Sequence, residues 1–275
     1  MRHAARDPHG RTDHTARPDL GRGNHPRAAG AQAPGVTRGK GRPENKEGRQ
    51  VNGEEKGETG MQARSERTRR RLVLAGAQMF DRYGYASATL GQIAGAAGMT
   101  KGALYFHFAS KEGLADAVQE RGRQLLCDFV QQQWEAGAAP LQALIDLTHW
   151  LADALYQDPV VRAGLRITNE RAGRHPAATD FHQTWITEVL RLLGQAAAAG
   201  DLREDAAGEG GQSLLTAAVC GIGVLAGTGL TPTELAHRVH ALWQPLLPAL
   251  VPPGHTPRYR THPPTTTHTR PAHAA

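Results

Sequence analysis

The strongest structural signal in this 275-residue chain is the stretch Thr89–Val118, TLGQIAGAAGMTKGALYFHFASKEGLADAV. Thr89 is placed to cap a short helix that Gly98 can end, and Thr100 is placed to cap a second short helix. Ser110 is placed to cap a longer helix that follows. Two short helices joined by a turn that contains glycine are typical of a helix-turn-helix, in which the second helix can enter the major groove of DNA.

The segment before this stretch, residues 64–85, reads RSERTRRRLVLAGAQMFDRYGY and has the apolar spacing of an amphipathic helix. Gly84 can end this helix. Five arginines crowd its start, namely Arg64, Arg67, Arg69, Arg70 and Arg71. Because cations at a helix N-terminus oppose the helix dipole, this placement favours an external anion such as phosphate.

Charge is distributed unevenly along the chain. Residues 1–60 hold 12 Lys and Arg against 8 Asp and Glu, residues 64–111 hold 8 against 2, and residues 112–275 hold 12 against 16. A compact basic section followed by a mildly acidic remainder is typical of a nucleic-acid-binding module joined to a module of another kind. A solvated basic face remains the alternative from charge alone.

The two ends of the chain lack core-forming side chains. Residues 1–60 contain no Phe, Tyr or Trp, and residues 254–275 consist largely of Pro, Thr and His with one aromatic residue, Tyr259. Such segments cannot offset their chain entropy by burial. We therefore expect a disordered basic tail over 1–63, a DNA-binding domain over 64–112, a helical bundle over 113–250 and a disordered tail over 251–275.

The second half of the chain has helical periodicity throughout. Helices are expected to begin at Pro140 and Pro159 and to cover 180–199, 206–230 and 231–250, and no alternating strand pattern longer than four residues occurs. The predicted fold is all-α, with an N-terminal three-helix helix-turn-helix domain and a C-terminal bundle for ligand binding and dimerisation. The last two helices, rich in Ala, Gly and Leu, predict a homodimer, because one subunit could not cover them.

The apolar run that includes Leu214–Leu230 is shorter than the roughly 20 residues of a membrane-spanning helix and contains four Gly and two Thr. We expect a helix at a packed interface and no membrane partner. No apolar signal segment begins the chain, and Cys127 and Cys220 are interpreted as core residues of a cytoplasmic protein.

The residue chemistry of the second short helix predicts contacts with double-stranded DNA. Lys101 can donate to guanine, Gly102 permits close approach of the backbone, and Tyr105 and His107 can donate to phosphates. Lys111 is expected to meet phosphate at the next helix start. The full predicted set is Thr89, Thr100, Lys101, Gly102, Tyr105, His107 and Lys111.

Two aromatics of this helix, Tyr105 and Phe106, could instead be core residues, whereas Leu104 and Phe108 are expected to anchor the helix inward. Their exposure separates the two interpretations, because only an exposed side chain can reach DNA.

An apolar ligand pocket is predicted in the bundle. Aromatic residues with few charges lie between 144 and 193, and the predicted ligand-binding residues are Trp150, Thr168 and Trp185. The alternative is that both tryptophans are simply large core residues.

Enzymatic and metal chemistry find no support in the sequence. HExxH, GxSxG and GxxxxGK[ST] motifs are absent, and the pair His237 and His240 lacks further ligands at suitable spacing. We expect no catalytic residues, no metal and no cofactor.

The string MTKGALYFHFASKE, Met99–Glu112, resembles the gamma-butyrolactone receptor branch of TetR-type transcriptional repressors. A weaker similarity follows at Val160–Thr168, whereas residues 173–183 depart from those receptors. The resemblance implies a homodimer on a pseudo-palindromic operator, released by a small diffusible effector, and a pocket wall at Trp185. Two alternatives stay open: a pseudo-receptor that answers an antibiotic or no ligand, and a helical enzyme or lipid-binding bundle with a vestigial DNA module.

Overall fold

The computed structural model describes residues 51–171 and 180–264, with side chains described from residue 60 onward. These residues contain no strand, which confirms the all-α prediction. Their ten α-helices are α1 (Val51–Tyr83), α2 (Leu90–Ala96), α3 (Lys101–His107), α4 (Lys111–Glu135), α5 (Pro140–Gln157), α6 (Pro159–Arg171), α7 (Phe181–Ala198), α8 (Glu204–Ala207), α9 (Glu209–Ala226) and α10 (Pro232–Leu250).

The predicted N-terminal tail differs from the structure over its last residues. Helix α1 begins at Val51, so it extends into the segment expected to be disordered. The sequence pattern could not indicate this, because residues 51–63 have no apolar periodicity to mark a helix. Residues 1–50 and 265–275 lie outside the described residues, and so do 172–179.

The helix-turn-helix forms as the capping residues predict. The Thr89 side chain accepts from the backbone N–H of Gln92, whose side-chain oxygen accepts in return from the Thr89 N–H at 3.0 Å. Gly98 has a φ of 64°, a value that favours glycine, and Thr100 caps α3 by accepting from the Ala103 N–H at 3.2 Å. Each of the two short helices therefore begins at a threonine that caps it, and a turn at Gly98 separates them.

Two apolar cores organise the described chain. The N-terminal core joins α1, α2, α3 and the first half of α4 with three residues of α6, Val160, Ala163 and Ile167. The bundle core joins the second half of α4 with α5, α7, α9 and α10. Helices α4 and α6 contribute to both cores and connect them.

Polar side chains of α6 hold the end of α1. Arg162 Nε forms an ion pair with the Asp81 carboxylate at 2.8 Å, and Arg166 donates to the Asp81 backbone oxygen at 2.6 Å. Gly84 follows with a φ of 84°, and a Cβ there would lie 2.6 Å from Glu170 Oε1. The backbone angle therefore favours glycine at this turn, and a side chain there would also displace the Glu170 carboxylate.

The expectation that the folded chain ends at residue 250 is wrong. Residues 251–264, called the C-terminal strap below, lie against α5. Gln142 exchanges two hydrogen bonds with the Arg260 backbone, at 2.9 and 3.1 Å, and the Arg260 guanidinium lies 2.6 Å from the buried Asp146 carboxylate. His149 Nε2 lies 2.9 Å from the Thr261 backbone oxygen.

The strap was missed because its fixation is polar. Its Pro, Thr and His residues give no apolar periodicity, and its contact with the bundle core comes from Val251, which directly follows α10, and from Tyr259. Burial, together with a hydrogen bond to Asp201, raises the pKa of Tyr259 to about 12. The α5 side chains that bind the strap, Gln142, Asp146 and His149, lie more than a hundred residues before it in the sequence.

Candidate nucleic-acid interface and ligand cavity

Helix α3 presents one face to the N-terminal core and the other to solvent. Leu104 and Phe108 are buried, as predicted, whereas Lys101 and Gly102 are exposed. Tyr105 is 55% exposed, so its interpretation as a core residue is wrong. The exposed face offers an ammonium group, a backbone without a side chain and a phenol, which suits contact with a base edge, a close phosphate and a second phosphate.

Phe106 is the most exposed large apolar side chain of the described residues, at 83%, and it was not among the predicted contact residues. Its ring lies edge-on against the half-buried His107, with ring centroids 5.2 Å apart. Leu104 and Phe108, four residues apart, define the inward face of α3, and position 106 falls on the opposite face. That spacing could have identified it in the sequence.

Lys111 does not stand free for a phosphate. Its ammonium donates to the backbone oxygens of Tyr85, Ala86 and Ala88 at 2.9, 3.0 and 3.2 Å. An ammonium has three N–H donors, and all three are used. The structure therefore corrects the prediction: Lys111 holds the connection between α1 and α2 in place.

Thr89 likewise has a local role. Its hydroxyl accepts from the Gln92 N–H and also lies 2.8 Å from Gln92 Oε1, to which it donates. The side chain is exposed but engaged in the capping box of α2. Thr100 is similarly exposed and engaged as the cap of α3.

A second connection joins the α1–α2 turn to α4. The Tyr85 hydroxyl donates to Glu112 Oε1 at 2.9 Å. Burial, together with this carboxylate, raises the pKa of Tyr85 to about 12. The connection between α1 and α2 is thus fixed to the start of α4 by two consecutive residues, Lys111 and Glu112.

A cavity of about 20 Å³ lies in the bundle between α5, α6, α7 and α9. Of the three predicted ligand-binding residues only Trp185 lines it. The lining residues are Leu151, Leu165, Phe181, His182, Trp185, Val219, Cys220 and Gly223. A volume of this size holds about one water molecule and no drug-sized ligand.

The indole of Trp185 has an unusual environment. The residue is 2% exposed, and its Nε1 is buried without a hydrogen-bond partner among the described residues. A buried polar group without a partner carries a free-energy cost.

The other two predicted ligand-binding residues lie elsewhere. Trp150 stacks on Phe129 with ring centroids 5.5 Å apart and packs against the bundle core. Thr168 accepts from Gln119 Nε2 at 3.1 Å and donates to Asp180 Oδ1 at 2.7 Å. Sequence proximity grouped these residues, whereas the helix faces separate them.

The ring of Phe181, on the wall of the cavity, fits between two glycines. A Cβ on Gly122 of α4 would lie 2.9 Å from its ring, and a Cβ on Gly164 of α6 would lie 3.3 Å from it. The backbone N–H of Phe181 donates to Gln119 Oε1 at 3.2 Å. The cavity wall is therefore in direct contact with α4, which starts directly after α3.

The prediction that both cysteines are core residues is wrong. Cys127 is exposed. Cys220 is only half-buried and borders the cavity, and burial raises the pKa of its thiol.

Helix α9 is long and apolar enough to cross a membrane by length and composition, and 17% of it is buried within the described chain. Leu214, Val224 and Leu225 are exposed on it. The expected burial of this helix is thus not found within one chain.

Comparison with known proteins agrees with this architecture. The family model for bacterial regulatory proteins of the tetR family matches residues 72–118, and the model for the tetracyclin repressor-like C-terminal domain matches residues 138–252. The A-factor receptor protein of Streptomyces griseus is 32% identical over 196 residues, which cover 70% of this chain and 67% of that protein.

Solved structures give the same result. A crystal structure of a gamma-butyrolactone receptor, described as ArpA-like, is 32% identical with a TM-score of 0.59 and covers 71% of this chain and 94% of that one. CprB from Streptomyces coelicolor, solved in complex with its operator sequence, is 34% identical with a TM-score of 0.57 and the same coverage. The chain therefore belongs to the TetR family of bacterial regulatory proteins, within the branch of the gamma-butyrolactone receptors.

Proposed function

We propose that this protein is a ligand-responsive transcriptional repressor, which binds a pseudo-palindromic operator and leaves it when a gamma-butyrolactone enters the bundle. The observation that carries the proposal is the exposed face of α3. Lys101, Gly102 and Tyr105 are presented there by a helix whose Leu104 and Phe108 are buried. The similar A-factor receptor of Streptomyces griseus supports the nature of the effector.

The proposed assembly is a homodimer in the cytoplasm. The exposed Leu214, Val224 and Leu225 of α9 would be buried against a second copy, because two helices from each subunit can form a four-helix interface. Two copies of α3 would then address two half-sites of the operator. We propose no catalytic activity, no cofactor and no metal for this chain.

Effector binding must open the bundle, since the cavity of about 20 Å³ is too small for a lactone. The lactone carbonyl would accept from the unpaired Trp185 Nε1. Movement of Phe181 would then act on Gly122 and Gln119 of α4. An effector that prefers the open state by about 1–3 kcal/mol lowers operator affinity 5–150-fold.

The small volume of the cavity also favours a second candidate, a pseudo-receptor that binds DNA and does not respond to a lactone. Both candidates share the DNA-binding surface and differ only in the bundle.

Gel shifts test both. An operator duplex is selected from a random library with the purified protein and then titrated with a synthetic gamma-butyrolactone. Release of the duplex supports the receptor, and retention at saturating lactone supports the pseudo-receptor. Failure to select any sequence would contradict both.

A further inference from the structure

The part of α1 before its first buried residue forms a separate basic surface. Residues 60–67 of α1 are all exposed, and burial in the N-terminal core begins only at Leu72. Residues 60–71 contain five arginines and one glutamate. Twelve helical residues span about 18 Å, so this arm, residues 60–71, is an extended surface with a net positive charge.

Three of the arginines share one face of the arm. Arg64, Arg67 and Arg71 are spaced by three and four residues, which places them in one row along a helix. We call this row the arginine stripe. Arg64 and Arg67 form no salt bridge with any side chain that the structure describes.

The direction of the stripe follows from its last member. Arg71 donates to the backbone oxygen of Ala97 at 2.8 Å, in the turn that joins α2 to α3. That turn directly precedes Thr100 and Lys101, at the start of the proposed recognition helix. The stripe thus continues from the side of the molecule where α3 begins.

The base of the arm is held on a second side. The guanidinium of Arg69 lies over the ring of Phe108, 5.0 Å from its centroid. Because Phe108 is the C-cap of α3 and Ala97 is the C-cap of α2, the arm contacts the end of α3 and the turn that precedes it. The arm is therefore oriented relative to α3 before any partner binds.

We propose that the arginine stripe is a second DNA-contacting surface, in which Arg64 and Arg67 bind backbone phosphates of duplex DNA outside the bases that α3 reads. This inference rests on the proposed function. The stripe carries guanidinium groups without partners among the described side chains, and a phosphate is their complementary ligand. Contacts to phosphate add affinity and salt dependence but no sequence preference.

The test compares two double variants that each remove two positive charges. Arg64→Ala/Arg67→Ala removes the two members of the stripe that form no salt bridge with a described side chain. Arg82→Ala/Arg121→Ala is the matched control, since Arg82 lies at the opposite end of α1 and Arg121 lies on α4. Thermal midpoints of both variants are measured first, and because Arg64 and Arg67 are exposed the stripe variant should unfold at the wild-type temperature.

Binding is measured over a salt series on two duplexes of the selected operator, one ending at the half-sites and one extended by ten base pairs on each side. On the long duplex, the stripe variant should lose on the order of tenfold in affinity, and its salt slope should fall by about 4 per dimer. The control variant should match the wild type. On the short duplex, wild type and stripe variant should converge.

The outcomes separate this inference from the function beneath it. Equal binding of the stripe variant and the wild type on the long duplex overturns the stripe and leaves the repressor intact. An equal loss in the control variant shows a general charge effect and overturns it as well. If the wild type binds no operator at all, the proposed function fails and the inference fails with it.

Discussion

The exposed face of α3 and the cavity beside Trp185 differ in whether a partner could bind them without a structural change. On α3, Lys101 and Tyr105 are already exposed and fixed by a capped helix, whereas the cavity beside Trp185 has a volume of about 20 Å³. Under the proposed function, the α3 surface needs no rearrangement to meet DNA, whereas the cavity must enlarge to admit an effector. DNA binding would then be the default state, and the effector would supply the free energy that shifts the protein away from it.

The largest expected effect on stability comes from Trp185, which lines the cavity. Trp185→Ala removes a 2% exposed indole and should lower the free energy of unfolding by about 3–5 kcal/mol. Trp185→Phe keeps most of the apolar packing and removes the unpaired N–H. We expect it to retain operator binding and to weaken release by lactone. Unchanged release in a folded Trp185→Phe variant would contradict the role of this N–H.

Substitutions of Lys101 and Lys111, which are ten residues apart in the sequence, should have different effects. Lys101→Ala, on the exposed surface, should lose about 1–3 kcal/mol of operator discrimination and keep its thermal midpoint. Lys111→Ala leaves three backbone oxygens without their donor and should lower the thermal midpoint. Thermal denaturation and gel shifts on both variants check this. Identical behaviour of the two variants would contradict the assignment of Lys101 to DNA contact and of Lys111 to a structural role.

The packing around Phe181, on the wall of the cavity, can be tested at Gly122. Gly122→Ala places a Cβ 2.9 Å from the Phe181 ring and should lower the free energy of unfolding by about 1–3 kcal/mol. Gly194→Ala in α7 is the control, because no atom lies within 4 Å of its Cβ, and it should stabilise by roughly 0.5–1 kcal/mol. Chemical denaturation measures the free energy of unfolding of both variants. If Gly122→Ala stabilised the protein as Gly194→Ala should, the space around the Phe181 ring would be larger than the structure indicates.

The smallest effect concerns pH. Burial lowers the pKa of His149 from its usual 6.5, opposed by the Thr261 oxygen and by Asp146. The unfolded imidazole therefore takes up a proton first, and stability is lost as the pH falls below about 6.5, by at most about 1.4 kcal/mol per unit.

His149→Gln should reduce this slope, whereas the exposed His237→Gln should keep it. Arg260 and His240 also face this group, and both oppose its protonation. A wild-type stability that is flat between pH 7 and 5 would contradict the assignment.

The sequence predicted what local chemistry controls. The caps Thr89, Thr100 and Ser110 and the turn at Gly98 each act within four residues, so the helix-turn-helix could be read directly. Reasoning from local sequence alone also explains why the prediction of a phosphate contact at Lys111 was wrong. Its helix start was correct, but its three acceptors lie more than twenty residues earlier in the chain.

The cavity could not be predicted in the same way. It depends on which faces of α5, α6, α7 and α9 meet, and Trp150 and Thr168 were included only because they lie nearby in sequence. The strap escaped for a related reason, since Gln142, Asp146 and His149 give no sign of holding a segment more than a hundred residues later.

The slot around Phe181 also sets a constraint on how the family can diverge. Residues 122, 164 and 181 come from three helices, yet the ring at 181 occupies the space that side chains at the other two would need. A bulkier residue at 122 or 164 would have to be accompanied by a smaller one at 181. We expect these three positions to change together among relatives, and receptors with a smaller residue at 181 to accommodate effectors of different shape.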